Sequence, residues 1–117
     1  MCTPPQSAST DQPDIATMRQ TIAELLPEKT ATAPQGSDLE VLLLLLRGHV
    51  QLLIPDVEQL ADRASESMTP FFAQIEAVVA RRRLAAQPSA HPESQLWLAR
   101  RLARSLASLC DSYEFLR

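Results

Sequence analysis

Apolar positions recur along most of this chain with the period of an α-helix. Ile15, Met18, Ile22, Leu25 and Leu26 predict a first helix over 14–26, closed by Pro27. After the turn formers of 27–36, Leu39, Leu42, Leu43, Leu46, Val50, Leu53, Val57, Leu60 and Ala64 fall on one side of a second helix at about 100° per residue. Ser37 and Glu40 read as a capping box at its start. The pattern runs through Pro55, which is expected to kink this helix rather than end it. A third helix is expected over 70–86, with Thr69 as N-cap and Pro70 at its first position. Its buried face is expected to be Phe71, Phe72, Ile75, Val78 and Val79. The fourth helix is expected over 92–116, burying Ala99, Leu102, Ala103, Leu106, Leu109, Cys110 and Tyr113.

Four helices with short to medium connections predict an all-α fold, a small antiparallel four-helix bundle. The 117 residues suffice for one modest helical domain over 13–117. Residues 1–12, rich in Pro, Ser, Thr and Gln, are expected to be a disordered tail. Scarce β-branched and aromatic residues give strands little support.

The second helix carries more apolar surface than one bundle face needs. Val41, Leu44, Leu45, Gly48 and Leu52 form a second stripe roughly opposite the first. A homodimer through this helix accounts for the surplus, and cover by the first helix and the linker is the alternative. A membrane span is excluded by length, since the 39–54 run is shorter than the roughly 20 residues required and holds Glu40, Arg47 and His49. With no basic or apolar leader pattern in the first fourteen residues, the expected location is cytoplasmic.

Charge narrows the partners. A net charge of −3 gives no reason to expect nucleic acid binding, and the lone lysine, Lys29, argues against a membrane surface. Cys2 and Cys110 make no framework and are expected to be free thiols. No Gly-rich phosphate loop, metal-spaced Cys/His cluster or Ser–His–Asp set is legible, so neither a metal nor another cofactor is implied.

The candidate chemistry lies between the apolar stripes. Glu40, Arg47, Gln51 and Glu58 form a narrow polar row on the second helix, with His49 and Asp56 on the opposite margin. These groups either face water and pair across the bundle, or line a cleft where Arg47 and His49 hold an anionic or amide-rich ligand. On the third helix, projection puts Arg82 within the apolar face, to snorkel at the helix end or to be buried against a carboxylate such as Glu58. Arg83 is expected to pair with Glu76. On the fourth, Trp97, Arg101, Arg104, Ser108 and Phe115 lie away from the core side, with Trp97 and Arg101 one turn apart and able to stack. Such a stripe suits a peptide or protein partner, or a dimer contact.

LRGHVQLLIPDVE at 46–58, LARSLASLCDSYEFL at 102–116 and DIATMRQTIAELL at 14–26 resemble a family of small helical actinobacterial proteins known only as natural product biosynthesis proteins. Arg47-Gly48-His49 followed by Leu-Leu-Ile-Pro is its most specific part. Within that group, size and layout are similar to the lysinoalanine-forming proteins of duramycin- and cinnamycin-type lanthipeptide maturation. That resemblance implies a homodimeric, cofactor-free enzyme adding a lysine amine of a modified precursor peptide to a dehydroalanine, with help from the substrate. Under it, Arg47, His49 and Glu58 are the expected catalytic groups. Arg104 is expected beside Arg47 as a carboxylate-orienting donor, and Gln51, Arg82, Trp97, Arg101 and Tyr113 as further substrate contacts. The alternative is a non-catalytic helical adaptor or regulatory partner that uses the Trp97–Arg101–Arg104 face.

Overall fold

The computed structural model describes residues 12–28, 33–64, 68–87 and 91–117. Four helices follow in order: α1 (Ile15–Ala23), α2 (Gly36–Arg63), α3 (Met68–Ala85) and α4 (Pro92–Leu116). Among the described residues there is no strand. The expected tail, apart from Gln12, lies outside the described residues, as do Cys2, Lys29 and the middle of the 87–94 loop.

Three of the four helix starts have a visible local cause. Asp14 caps α1, its carboxylate accepting from the Thr17 amide at 3.0 Å and from the Thr17 hydroxyl at 2.7 Å. The helix stops at Ala23, short of the expected Leu26. The Leu25 and Leu26 amides both donate to the Ile22 carbonyl, and this turn keeps Leu25 buried. At α2 the expected capping box is absent, because the helix begins one residue before Ser37 and its cap, Gln35, makes no side-chain bond. Gly36 enters α2 at φ +58°, a region L side chains rarely adopt, so glycine sets this entry. Helix α3 begins at Met68, which places Thr69 inside it rather than at its cap. Helix α4 starts at Pro92 as expected, where the missing amide hydrogen is not needed.

The core centres on α2 and α4. Leu46, Val50, Leu53 and Val57 from α2 meet Leu102, Leu106 and Leu109 from α4, and all are fully buried. The expected first stripe of α2 therefore packs inward, joined by Ile54 and Ala61. Pro55 lies within α2, which continues past it for two turns. Helices α1 and α3 each pack against both α2 and α4 but not against each other. Side-chain bridges locate their ends. Arg19 of α1 reaches Asp111 and Glu114 near the end of α4, while Glu28, just past α1, reaches Arg100 and Arg104 nearer its middle. Likewise Glu76 of α3 bonds Ser112, and Arg83 bonds Ser105.

Two apolar faces point away from the core. The second stripe of α2 is open, with Leu44 at 71% and Leu52 at 66% exposure, so α1 and the described part of the linker leave it bare. The expected buried face of α3 is wrong. Ala73, Ala77 and Ala80 are fully buried, whereas Phe71, Phe72, Ile75 and Val78 are exposed and Val79 is half-buried. Methyl-sized side chains let α3 settle closely between α2 and α4, which the phenyl rings would prevent. No described helix is long and apolar enough to cross a membrane.

Candidate functional site

Of the row expected between the α2 stripes, Arg47 and Glu58 turn out to hold α3, while Glu40 and Gln51 are exposed. The Arg47 guanidinium donates to the Leu84 carbonyl at 2.8 Å and to the Ala86 carbonyl at 3.3 Å. These carbonyls lie at the end of α3, where intrahelical donors run out, and a planar cationic fork suits both their geometry and the helix dipole. Gln51, one turn on, is exposed. Glu58 is clasped by Arg81, with one contact at 2.8 Å and a second, closer one through the other pair of atoms. The Arg81 hydrogen bond holds the Glu58 carboxyl below its ordinary range, against the opposing effect of burial.

Arg82 is therefore not Glu58's partner and is not in a buried face. It is exposed, because the side of α3 that carries it is the one turned to solvent. The inserted cation is Arg83. It donates to Ser105 Oγ at 2.7 Å and to the Arg101 carbonyl at 3.1 Å, and burial, reinforced by Arg101, pushes its pKa down. Glu76, the expected partner of Arg83, instead accepts from the Ser112 hydroxyl at 2.6 Å.

His49 faces the other way, toward α1. Its Nε2 lies 3.3 Å from Thr21 Oγ1, and burial lowers its pKa while the Asp14 charge partly opposes that. Thr21 is buried, its hydroxyl also donating to the Thr17 carbonyl at 3.2 Å. On its outer side Thr21 belongs to the wall of an open groove of about 840 Å³ between α1, residues 33–35 and the start of α2. Gln20, Glu24 and Asp38 supply polar walls, and Val41, Leu42 and Leu45 an apolar one. None of these groove residues was singled out from the sequence as a functional group. The available signal was Thr21, a polar residue one turn from Met18 and Leu25 on the inward side of α1.

The α4 face assembles as projected in part. The Arg101 guanidinium lies over the Trp97 ring at 4.6 Å, and Trp97 is 59% exposed. Arg104 pairs with Glu28, which also lies 3.9 Å from Arg100. Glu28, Trp97, Arg100 and Arg104 line an open pocket of about 250 Å³ together with Glu93 and Leu96. Arg104 and Arg47 thus serve different elements, one held by Glu28 beyond α1 and the other by the end of α3. Tyr113 is buried, with Arg117 stacked on its ring at 5.5 Å, and borders a small pocket with Asp56 and Arg63. Burial pushes the Asp56 carboxyl up.

Cys110 is free and buried, its thiol pushed up to about 11 mainly by burial, so it is protonated near neutrality and no ready nucleophile. Among the described residues, no three His, Cys, Asp or Glu side chains group as metal ligands.

Residues 16–117 match the family of unknown function DUF6415, and the chain belongs to that family. No curated protein and no solved structure matches it.

Proposed function

We propose that this member of the DUF6415 family is a non-catalytic helical adaptor that holds a protein partner on the Trp97–Arg101 face of α4. One observation carries the reading: an indole more than half open to solvent, with a guanidinium already stacked on it. Side chains of these types dominate binding energy where they are central to an interface, and a pre-stacked pair loses little freedom on binding. Arg47 and Glu58 support the same reading, because their charged groups are occupied in holding α3. In this reading the bundle is antiparallel, as the end-to-end bridges favour, and homodimeric through the open stripe of α2. The test is titration calorimetry against proteins encoded beside this one. Trp97→Ala should abolish binding, while His49→Gln and Arg47→Met should preserve it. Binding that survives Trp97→Ala rejects the adaptor face.

A second reading keeps the lysinoalanine-forming activity, and one observation favours it. His49, shifted toward its neutral form, stands behind Thr21 in the wall of a groove large enough for a peptide segment. There a modified precursor peptide would add its lysine nitrogen to the β-carbon of a dehydroalanine. His49 would take the first ammonium proton through the Thr21 hydroxyl. As the C–N bond forms, the alkene π pair would move to the α-carbon, which takes the second proton shed by the nitrogen. Addition within one peptide changes no mass, so the readout is capture of remaining dehydroalanine by a thiol. Co-expression with the dehydrated, cyclised precursor should suppress thiol capture, and His49→Gln should restore it. Thiol capture that is equal with and without the protein rejects the enzyme reading.

A further inference from the structure

The open apolar surface of α2 does not end at that helix. Leu44, Gln51, Pro55, Glu58 and Asp62 share the side of α2 that faces α3, since Glu58 meets Arg81 and Asp62 accepts from Gln74 at 3.0 Å. On α3, Phe71, Gln74, Val78 and Arg81 follow one another at three- and four-residue steps and so share the matching row. Phe71 and Val78 therefore border the same polar seam that Pro55 borders from the other helix, on the row that Leu44 continues toward the start of α2. The two faces make one surface, crossed by that seam.

We propose that this joined α2–α3 surface is a two-fold interface with a second copy of the same chain. The proposal rests on the homodimer read above and extends its contact from α2 to α3. Area is the first argument. The large apolar side chains on it are between 43% and 71% exposed, including Leu44, Leu52, Phe71, Phe72, Ile75 and Val78. Together they open several hundred Å², more than a monomer ordinarily leaves bare and on the order of the roughly 800 Å² per partner of a standard interface.

Shape is the second argument. A two-fold contact requires a patch that complements itself. Gly48 interrupts the α2 stripe between Leu44 and Leu52, and a Cβ placed there would meet nothing within 4 Å, so the stripe has a notch. Helix α3 carries the projecting group, Phe71 and Phe72 standing edge to face with centroids 5.8 Å apart. With α2 of one copy laid on α3 of the other, each notch receives the other copy's rings.

The experiment is sedimentation equilibrium of the full chain over a concentration series, with Leu52→Glu on α2 and Val78→Glu on α3. Both positions are solvent-exposed in one copy, and far-UV circular dichroism checks that each variant stays helical. The wild type should be a dimer, and each substitution should weaken self-association about tenfold or more. A monomeric wild type overturns both the homodimer and this surface. A dimer broken by Leu52→Glu but not by Val78→Glu overturns the extension to α3 and leaves the α2 contact standing. Should Val78→Glu lose helicity, Phe72→Ser decides the same point by the same measurement.

Discussion

Helices α3 and α4 pack side by side, yet α4 buries leucines as well as alanines while the fully buried row of α3 is alanine alone. Helix α4 turns Leu98, Leu102, Leu106 and Leu109 inward, and α3 turns in Ala73, Ala77 and Ala80 while holding Phe71 and Phe72 outward. Both are apolar over a wide arc, so hydrophobicity alone does not choose the rotation of α3. Its flanks do. Arg83 and Glu76 hold the α4 side through Ser105 and Ser112, and Arg81 and Gln74 hold the α2 side through Glu58 and Asp62. Between these two polar borders lies the alanine row. Rotating α3 to bury its phenyl rings would break both borders and would force α2 and α4 apart. The lesson is that size and polar edges, more than apolar content, orient a helix that is apolar on two sides.

The sharpest way to break this comparison is truncation of the α4 core. Leu106→Ala should cost about 3 kcal/mol in urea unfolding, since it empties space at a fully buried position. The mirror experiment on α3 is Ala77→Leu, which should cost about 2 kcal/mol by overpacking; a neutral outcome would mean that α3 does not sit on its alanines. Next in size is Arg47→Ala. Removing charge-assisted bonds to the last carbonyls of α3 should cost about 1.5 kcal/mol, and amide exchange should rise selectively over 81–86. Phe72→Ala, which removes a half-covered ring, should cost about 1 kcal/mol of single-chain stability, well below Leu106→Ala. If the order of Leu106 and Phe72 reverses, the assigned rotation of α3 fails.

The smallest expected effect is a pH dependence at the other flank of α2. Burial lowers the His49 pKa from its ordinary 6.5, so the unfolded chain takes up this proton more readily than the folded one. Above about 6.5 both states are neutral and the group contributes no pH dependence. As pH falls from there toward the lowered folded value, protonation favours unfolding and stability drops. His49→Gln should flatten that part of the profile in the difference between the two urea midpoints at each pH. A difference that stays constant between pH 7 and pH 5 would contradict the burial of the ring. Glu58 and Asp14 act lower, where loss of their charge as pH falls removes contacts that lower their pKa values.

How legible each part was follows from how local its cause is. Helix α4 begins and ends where its periodicity and Pro92 place it, and the inner stripe of α2 matches the predicted row over five turns. The openness of the second α2 stripe also followed from counting apolar positions against available neighbours. The start of α2 did not, because Gly36 takes a positive φ and brings the chain into the helix before the Ser37 signal. The role of Arg47 was equally hidden. Its position between stripes was readable, but its partners are carbonyls 37 and 39 residues away whose location depends on how α3 docks. Of the two readings of Arg82, the one that buried it against Glu58 failed for the same reason, since a slip in the rotation of α3 exchanges Arg81, Arg82 and Arg83 among its sides.

The sequence by itself determined four helices, their approximate limits and the two-sided apolar character of α2, because these follow from periodicity, proline placement and short-range hydrogen bonding. Only the tertiary structure decided which face of α3 is inside, which arginine meets which acceptor, and where a groove opens beside Thr21. Those outcomes depend on close packing among three helices at once, and on side chains satisfied by groups far along the chain. No local pattern carries that information.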